Sequence, residues 1–149
     1  MTRIAAAALA LALAACGGAS DPEQELRALI EAAADAAEAR DTGFFRGLIA
    51  ESYRDSRGND REQLINYIRG YFLLHQQIEV VTRVTEVTLE GADAARVVVQ
   101  AGMAGRRAGQ SVLGGLDGDL YRIELELAGG SGEWQVIGAR WERGLGGSE

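Results

Sequence analysis

The 149-residue chain has one histidine, His75, and one cysteine, Cys16, so any scheme pairing a nucleophile or an acid with an imidazole has few members to draw on. A Ser-His-Asp or Cys-His arrangement would have to use His75. That residue falls at the end of a helix-like stretch, where the macrodipole favours an imidazole without any catalytic role. An Asp or Glu partner would make it a candidate base. The densest polar cluster is Tyr53-Arg54-Asp55-Ser56-Arg57. Tyr53 and Asp55 are candidates for acid–base work there, and Arg57 could pair a carboxylate or phosphate. The plainer reading is a solvated loop, in which Asp55 or Ser56 caps a turn and the arginines pair with nearby acids. No complete catalytic set emerges, and Tyr53, Asp55 and His75 stand as its three weak candidates.

Trp134 and Trp141 lie an odd number of residues apart in one strand-like segment, which predicts opposite faces. Arg140 flanks Trp141 and could lie across a neighbouring ring. Arg57, Arg140 and Trp141 are therefore the ligand-binding candidates. Asp117-Gly118-Asp119 begins like a calcium loop but lacks the third ligand and the glutamate, so it reads as a turn. No metal and no cofactor is expected. All fifteen basic residues are arginines, and the net charge is −7, a poor surface for nucleic acid. Arg106-Arg107 could touch anionic headgroups at ~1 kcal/mol each, a weak signal within that acidic total.

The first residues explain the lone thiol better than catalysis does. Met-Thr-Arg precedes Ile4–Ala15, a run almost wholly of Ala and Leu, and then Cys16. A positive start, a short apolar run and small residues at the cut form a secretory signal peptide. The run of 12 residues is too short to span a bilayer, which takes about 20. Leu13-Ala14-Ala15-Cys16 resembles the lipobox of bacterial lipoproteins. That resemblance implies cleavage before Cys16, lipidation of its thiol and acylation of the new amino terminus. Several acyl chains anchor far more firmly than one, at ~0.8 kcal/mol per buried CH₂. Gly17, rather than aspartate, follows the cysteine and points to the outer membrane, facing the periplasm. The membrane, reached through lipids on Cys16, is the first expected partner.

Residues 16–21 make a tether, and 22–144 one domain, with 145–149 a disordered tail. Asp21-Pro22 starts a helix running to about Arg40, with Leu26, Leu29, Ile30, Ala33 and Ala37 on one side. Phe44, Phe45, Leu48 and Ile49 suggest a short second helix. Residues 51–59 read as a polar connection, and Asn59 or Asp60 caps a third helix buried through Leu64, Ile65, Ile68, Tyr71 and Phe72. From Ile78 the pattern changes to strands over 78–90, 95–104, 119–128 and 133–143. The glycine-rich connection 105–118 reads as long and mobile.

Three N-terminal helices packed on a curved four-stranded antiparallel sheet is an α+β pattern. With the closing strand Glu133-Trp134-Gln135-Val136-Ile137-Gly138-Ala139-Arg140-Trp141-Glu142, this order resembles the nuclear-transport-factor-2-like (SnoaL-like) superfamily over residues 22–144. A cystatin-like domain is the rival. The resemblance implies a cone with a pocket at its wide end, bordered by the segment that follows the second helix. It also implies enzymes built on buried carboxylates, His-Asp pairs or a tyrosine-carboxyl oxyanion hole, and frequent homodimers. Three functions follow. The first is non-catalytic binding of a small apolar ligand or an envelope protein. The second is an isomerase- or hydrolase-type enzyme using Tyr53, Asp55 or His75. The third is a homodimeric accessory domain.

Overall fold

A computed structural model describes residues 20–107, 117–130 and 132–144. The expected leader, Cys16, most of the expected tether, residues 108–116, residue 131 and the expected tail 145–149 lie outside the described residues. The element order is α1 (Pro22–Glu38), α2 (Thr42–Leu48), β1 (Ile49–Asp55), α3 (Arg61–Leu74), β2 (His75–Leu89), β3 (Ala94–Arg107), β4 (Asp117–Ala128) and β5 (Gln135–Arg143). No helix among the described residues is long and apolar enough to cross a membrane.

The helices start where the sequence places their caps. The Asp21 side chain accepts from Glu23 N at 3.0 Å, with Pro22 in the first turn. At α3 a reciprocal capping box forms: Asp60 accepts from Gln63 N, and the Gln63 side chain accepts from Asp60 N, each at 2.9 Å. Two orphan amides are satisfied there by one pair of side chains.

The sheet has five strands in the order β1-β5-β4-β3-β2, not four. β1 arises from the segment expected to be a connection, so the helices are not all N-terminal to the strands. It runs parallel to β5, whereas the other three pairings are antiparallel. Its sequence looks like a loop because only alternate residues turn inward: Tyr53 and Asp55 are buried, Arg54 and Glu51 exposed. The glycine-rich connection is also shorter than expected. β3 reaches Arg107 and β4 starts at Asp117, with Gly105 paired to Asp117. Asp117-Gly118-Asp119 is therefore strand rather than turn.

One face of the sheet carries the core. Ala95, Val97, Val99, Leu127 and Val136 pack against Leu26 and Ile30 of α1 and Ile65 of α3. Burial of such aliphatic side chains stabilises the fold by roughly 1.5–3 kcal/mol each. Call this the inner face. α1 also covers the free edge of β2. Glu38 Oε1 accepts from Val80 N at 2.9 Å, and the Arg27 guanidinium donates to the Val84 carbonyl at 3.2 Å. Side chains thus occupy edge groups that another strand would otherwise seek.

A bulge alters the predicted facing of the tryptophans. Leu127 pairs with Val136 but Glu126 pairs with Gly138, leaving Ile137 without a counterpart. The extra residue shifts the alternation by one. Trp134, just before β5, is buried in the core cluster, and Trp141 pairs with Ile123, which also packs against that core. Both rings therefore lie on the inner face rather than on opposite sides.

Leu26 is fully buried, whereas Leu73 at the end of α3 is 84% exposed. Leu26→Ala is expected to lower unfolding free energy by about 3 kcal/mol, and Leu73→Ala by under about 0.5 kcal/mol. Urea denaturation of the two variants checks this; equal losses would contradict the packing.

Candidate functional site

The end of β1 brings together part of what the polar cluster offered. Asp55 is the last residue of β1 and turns the chain back towards α3. Its Oδ1 accepts from Arg57 N and Asn59 N, each at 2.9 Å, and its Oδ2 accepts from Asn59 Nδ2 at 2.9 Å. The Tyr53 hydroxyl donates to the same Oδ2 at 3.5 Å, the long limit of such a bond. Backbone bonds from Asp55 N to the Asn59 carbonyl and from Gly58 N to the Asp55 carbonyl complete the turn. A short acidic side chain bonding amides two and four residues on is the standard reason for Asp in turns.

These contacts set the protonation of the pair. Burial pushes the Asp55 carboxyl up, but the Asn59, Arg57 and Tyr53 donors together outweigh it and hold the group below its ordinary value. Tyr53 moves the other way: burial first, then the Asp55 charge and the bond to it, raise its phenol well above the usual range. A carboxylate kept ionised by four donors has its lone pairs engaged and a low proton affinity, which makes it a poor general base. A phenol harder to ionise than normal is an equally poor one. Tyr53 and Asp55 meet, and what they build is a turn.

His75 does not join them. It caps α3 and opens β2 on one edge of the sheet, while Asp55 ends β1 on the other. Its Nδ1 lies 2.8 Å from the Tyr71 carbonyl, and its ring stacks on Tyr71 with centroids 4.0 Å apart. Gly105 closes the third side. A Cβ there would lie 2.5 Å from His75 Cδ2 and 2.9 Å from the Tyr71 hydroxyl, so only glycine lets β3 pass this close. The imidazole is buried as part of a packed joint between α3 and the sheet.

The ligand-binding candidates also divide. Arg57 leaves the Asp55 turn and places its guanidinium 4.9 Å from the Trp141 ring centroid, within cation–π range. Trp141 is half-buried on the inner face. Nearby on that face, Tyr121 pairs with Arg143, and both side chains donate to Asp119 Oδ2, at 3.2 and 3.1 Å. Arg140 instead alternates to the outer face, across from Glu124. Composition gave no sign of the Asp119–Tyr121–Arg143 set, because Arg143 lies 24 residues from Asp119 and meets it only through strand register. Asn59 was legible as a helix cap but serves Asp55 instead. Among the described residues no group of His, Cys, Asp and Glu is placed to hold a metal ion.

No protein-family model matches the sequence, and no curated protein does. Solved structures do match. A putative scytalone dehydratase from Novosphingobium aromaticivorans superposes with a TM-score of 0.72 at 8% identity, over 83% of this chain and 84% of that one. A putative dehydratase of the NTF2-like family from Streptomyces avermitilis gives 0.68 at 14% identity, over 85% and 100%. An NTF-2-like protein of unknown function from Silicibacter pomeroyi gives 0.59 at 15%, over 82% and 95%. The fold is therefore NTF2-like, and these likenesses establish the fold alone.

Asp55→Asn should remove the charge its four donors address and lower stability by about 2–3 kcal/mol. Because the native carboxyl titrates below its unfolded value, its contribution is present above the unfolded pKa of ~3.9 and is lost as pH falls through the lower native value. In Asp55→Asn that part of the acid limb should be missing. Denaturation midpoints measured from neutral pH down to strong acid would show it, and parallel curves for the two proteins would refute the turn's role.

Proposed function

We propose that this chain is a lipid-anchored envelope protein whose NTF2-like domain binds a small apolar ligand with an anionic end, and performs no reaction. The observation that carries this reading is the separate engagement of the acid–base candidates. Asp55 is saturated by its own turn, and His75 is packed against Tyr71 and Gly105. An isomerase or hydrolase needs a base with a free lone pair near a reacting atom. The names of two structural neighbours, both putative dehydratases, speak for that enzyme alternative, and the engagement of both groups speaks against it.

The binding element is Arg57 over Trp141. An indole face offers apolar area, and a guanidinium already held above it can turn to pair a carboxylate in the forked geometry such groups favour. The core is filled by Leu26, Tyr53, Ile65, Val97 and Leu127, all fully buried, so a ligand meets the surface at Trp141 rather than the interior. The anchor is Cys16, with cleavage before it, lipid on its thiol and an outer-membrane position facing the periplasm. The basis is the Leu13-Ala14-Ala15-Cys16 motif behind a short apolar leader.

Two experiments test the two halves. Residues 17–149 carrying Trp134→Phe leave Trp141 as the only indole; decanoate should then change its fluorescence saturably. Arg57→Gln should weaken binding by roughly tenfold, whereas His75→Gln should leave it unchanged. No saturable response, or an equal loss in the histidine variant, would remove the binding reading. Separately, Cys16→Ser in the full chain should abolish incorporation of labelled palmitate and release the protein from the membrane fraction. Retention of both label and membrane would overturn the anchor.

A further inference from the structure

The outer face of the sheet holds a groove that reaches the Asp55–Ser56 turn. Register places Arg96, Glu126, Gly138 and Arg54 side by side across β3, β4, β5 and β1, with Glu124 and Arg140 in the next row. These six residues line a cavity of about 440 Å³, within the range of small-molecule sites. Gly138 makes the depression. A Cβ there would lie 3.1 Å from Glu126 Oε2 and 3.3 Å from the Arg54 carbonyl, so any side chain would press on both. The adjacent bulge at Ile137 is what turns Gly138 and Arg140 onto this face together.

The charges around the groove are unequally satisfied. Glu124 is paired to Arg122 at 2.6 Å, Arg96 to Glu90 at 3.5 Å, and Arg54 to Asp60 at 3.8 Å. Arg140 and Glu126 have no ion-pair partner among the described residues. They stand on neighbouring strands one row apart on the diagonal, roughly 7–8 Å between backbones. Two side chains as long as these can reach each other across that separation, yet both charges stand unpaired over the glycine.

From this juxtaposition of a guanidinium and a carboxylate across a glycine floor, we infer that the groove binds a short peptide or amino acid through both its termini. The ligand carboxylate pairs with Arg140, with Arg54 beside it, and the ammonium pairs with Glu126. The Gly138 floor gives the ligand backbone close approach. The groove is polar and open, so affinity is low, and selectivity comes from the two charges rather than from apolar burial.

The test is a titration of the ¹⁵N-labelled full chain in detergent micelles with trialanine, following backbone amides by NMR. Saturable shifts centred on Gly138, Ala139 and Arg140 are expected. N-acetyl-trialanine and trialanine amide should each bind roughly fivefold more weakly. Glu126→Gln and Arg140→Gln should weaken trialanine by a similar factor while leaving the urea midpoint unchanged, since both side chains are exposed. Equal binding of the acetylated peptide would reduce the groove to an anion site and overturn the proposal. Equal binding of the amide would overturn it likewise. So would shifts centred on Trp141, or no saturation by about 20 mM, the weak end of measurable affinity.

Discussion

The position of β1 depends on one carboxylate. Asp55 gathers two backbone amides, the Asn59 side chain and the Tyr53 hydroxyl, and in doing so reverses the chain between β1 and α3. Without that reversal β1 could not lie parallel to β5 while α3 crosses the inner face. The parallel pair is held at few points, Ile49 with Val136 and then Arg54 and Asp55 with Gly138 and Ala139. The turn supplies the constraint that a longer ladder would otherwise provide. Arg61 adds to it from the start of α3, donating to the Ile49 carbonyl at 2.8 Å and to the Arg46 carbonyl at 2.5 Å. It satisfies carbonyls freed where α2 runs directly into β1.

The same economy explains why chemistry and architecture compete for the same side chains. Tyr53, Asp55 and His75 are the residues a reader would choose for catalysis, and each is spent on joining elements. Glu25 is a fourth case. Ser20, the Gly132 amide and the Trp134 indole all donate to it, holding its carboxyl below the ordinary value. It thereby fixes the start of α1 to the turn between β4 and β5. Buried polar groups must be hydrogen-bonded, and among the described residues no buried side-chain polar atom lacks a partner. With those atoms satisfied internally, surface groups such as Arg57 over Trp141 and Arg140 near Glu126 are left to meet something else.

Much of this was legible in the sequence. Hydrophobic spacing gave all three helices and four strands, and the caps at Asp21 and Asp60 are where local chemistry requires them, because capping involves only residues two or three apart. The α+β order and the likeness to NTF2-like domains followed from that pattern. The ends of elements were less clear: α1 stops at Glu38, and β2 begins at His75 rather than Ile78. The Tyr53–Asp55 contact was within reach because it lies inside one five-residue cluster.

What the sequence by itself determined is local: periodicity, caps, turn chemistry and net charge. Tertiary structure decided the rest through contacts that no short window contains. It made a strand of the polar segment 49–55, because an edge strand buries only alternate residues and pairs with a partner more than eighty residues away. It put both tryptophans on one face, because a bulge at Ile137 adds one residue to an alternation that sequence parity takes as unbroken. It parted His75 from Asp55, and Arg140 from Arg57, because strand order and register, not nearness along the chain, decide which side chains share a site.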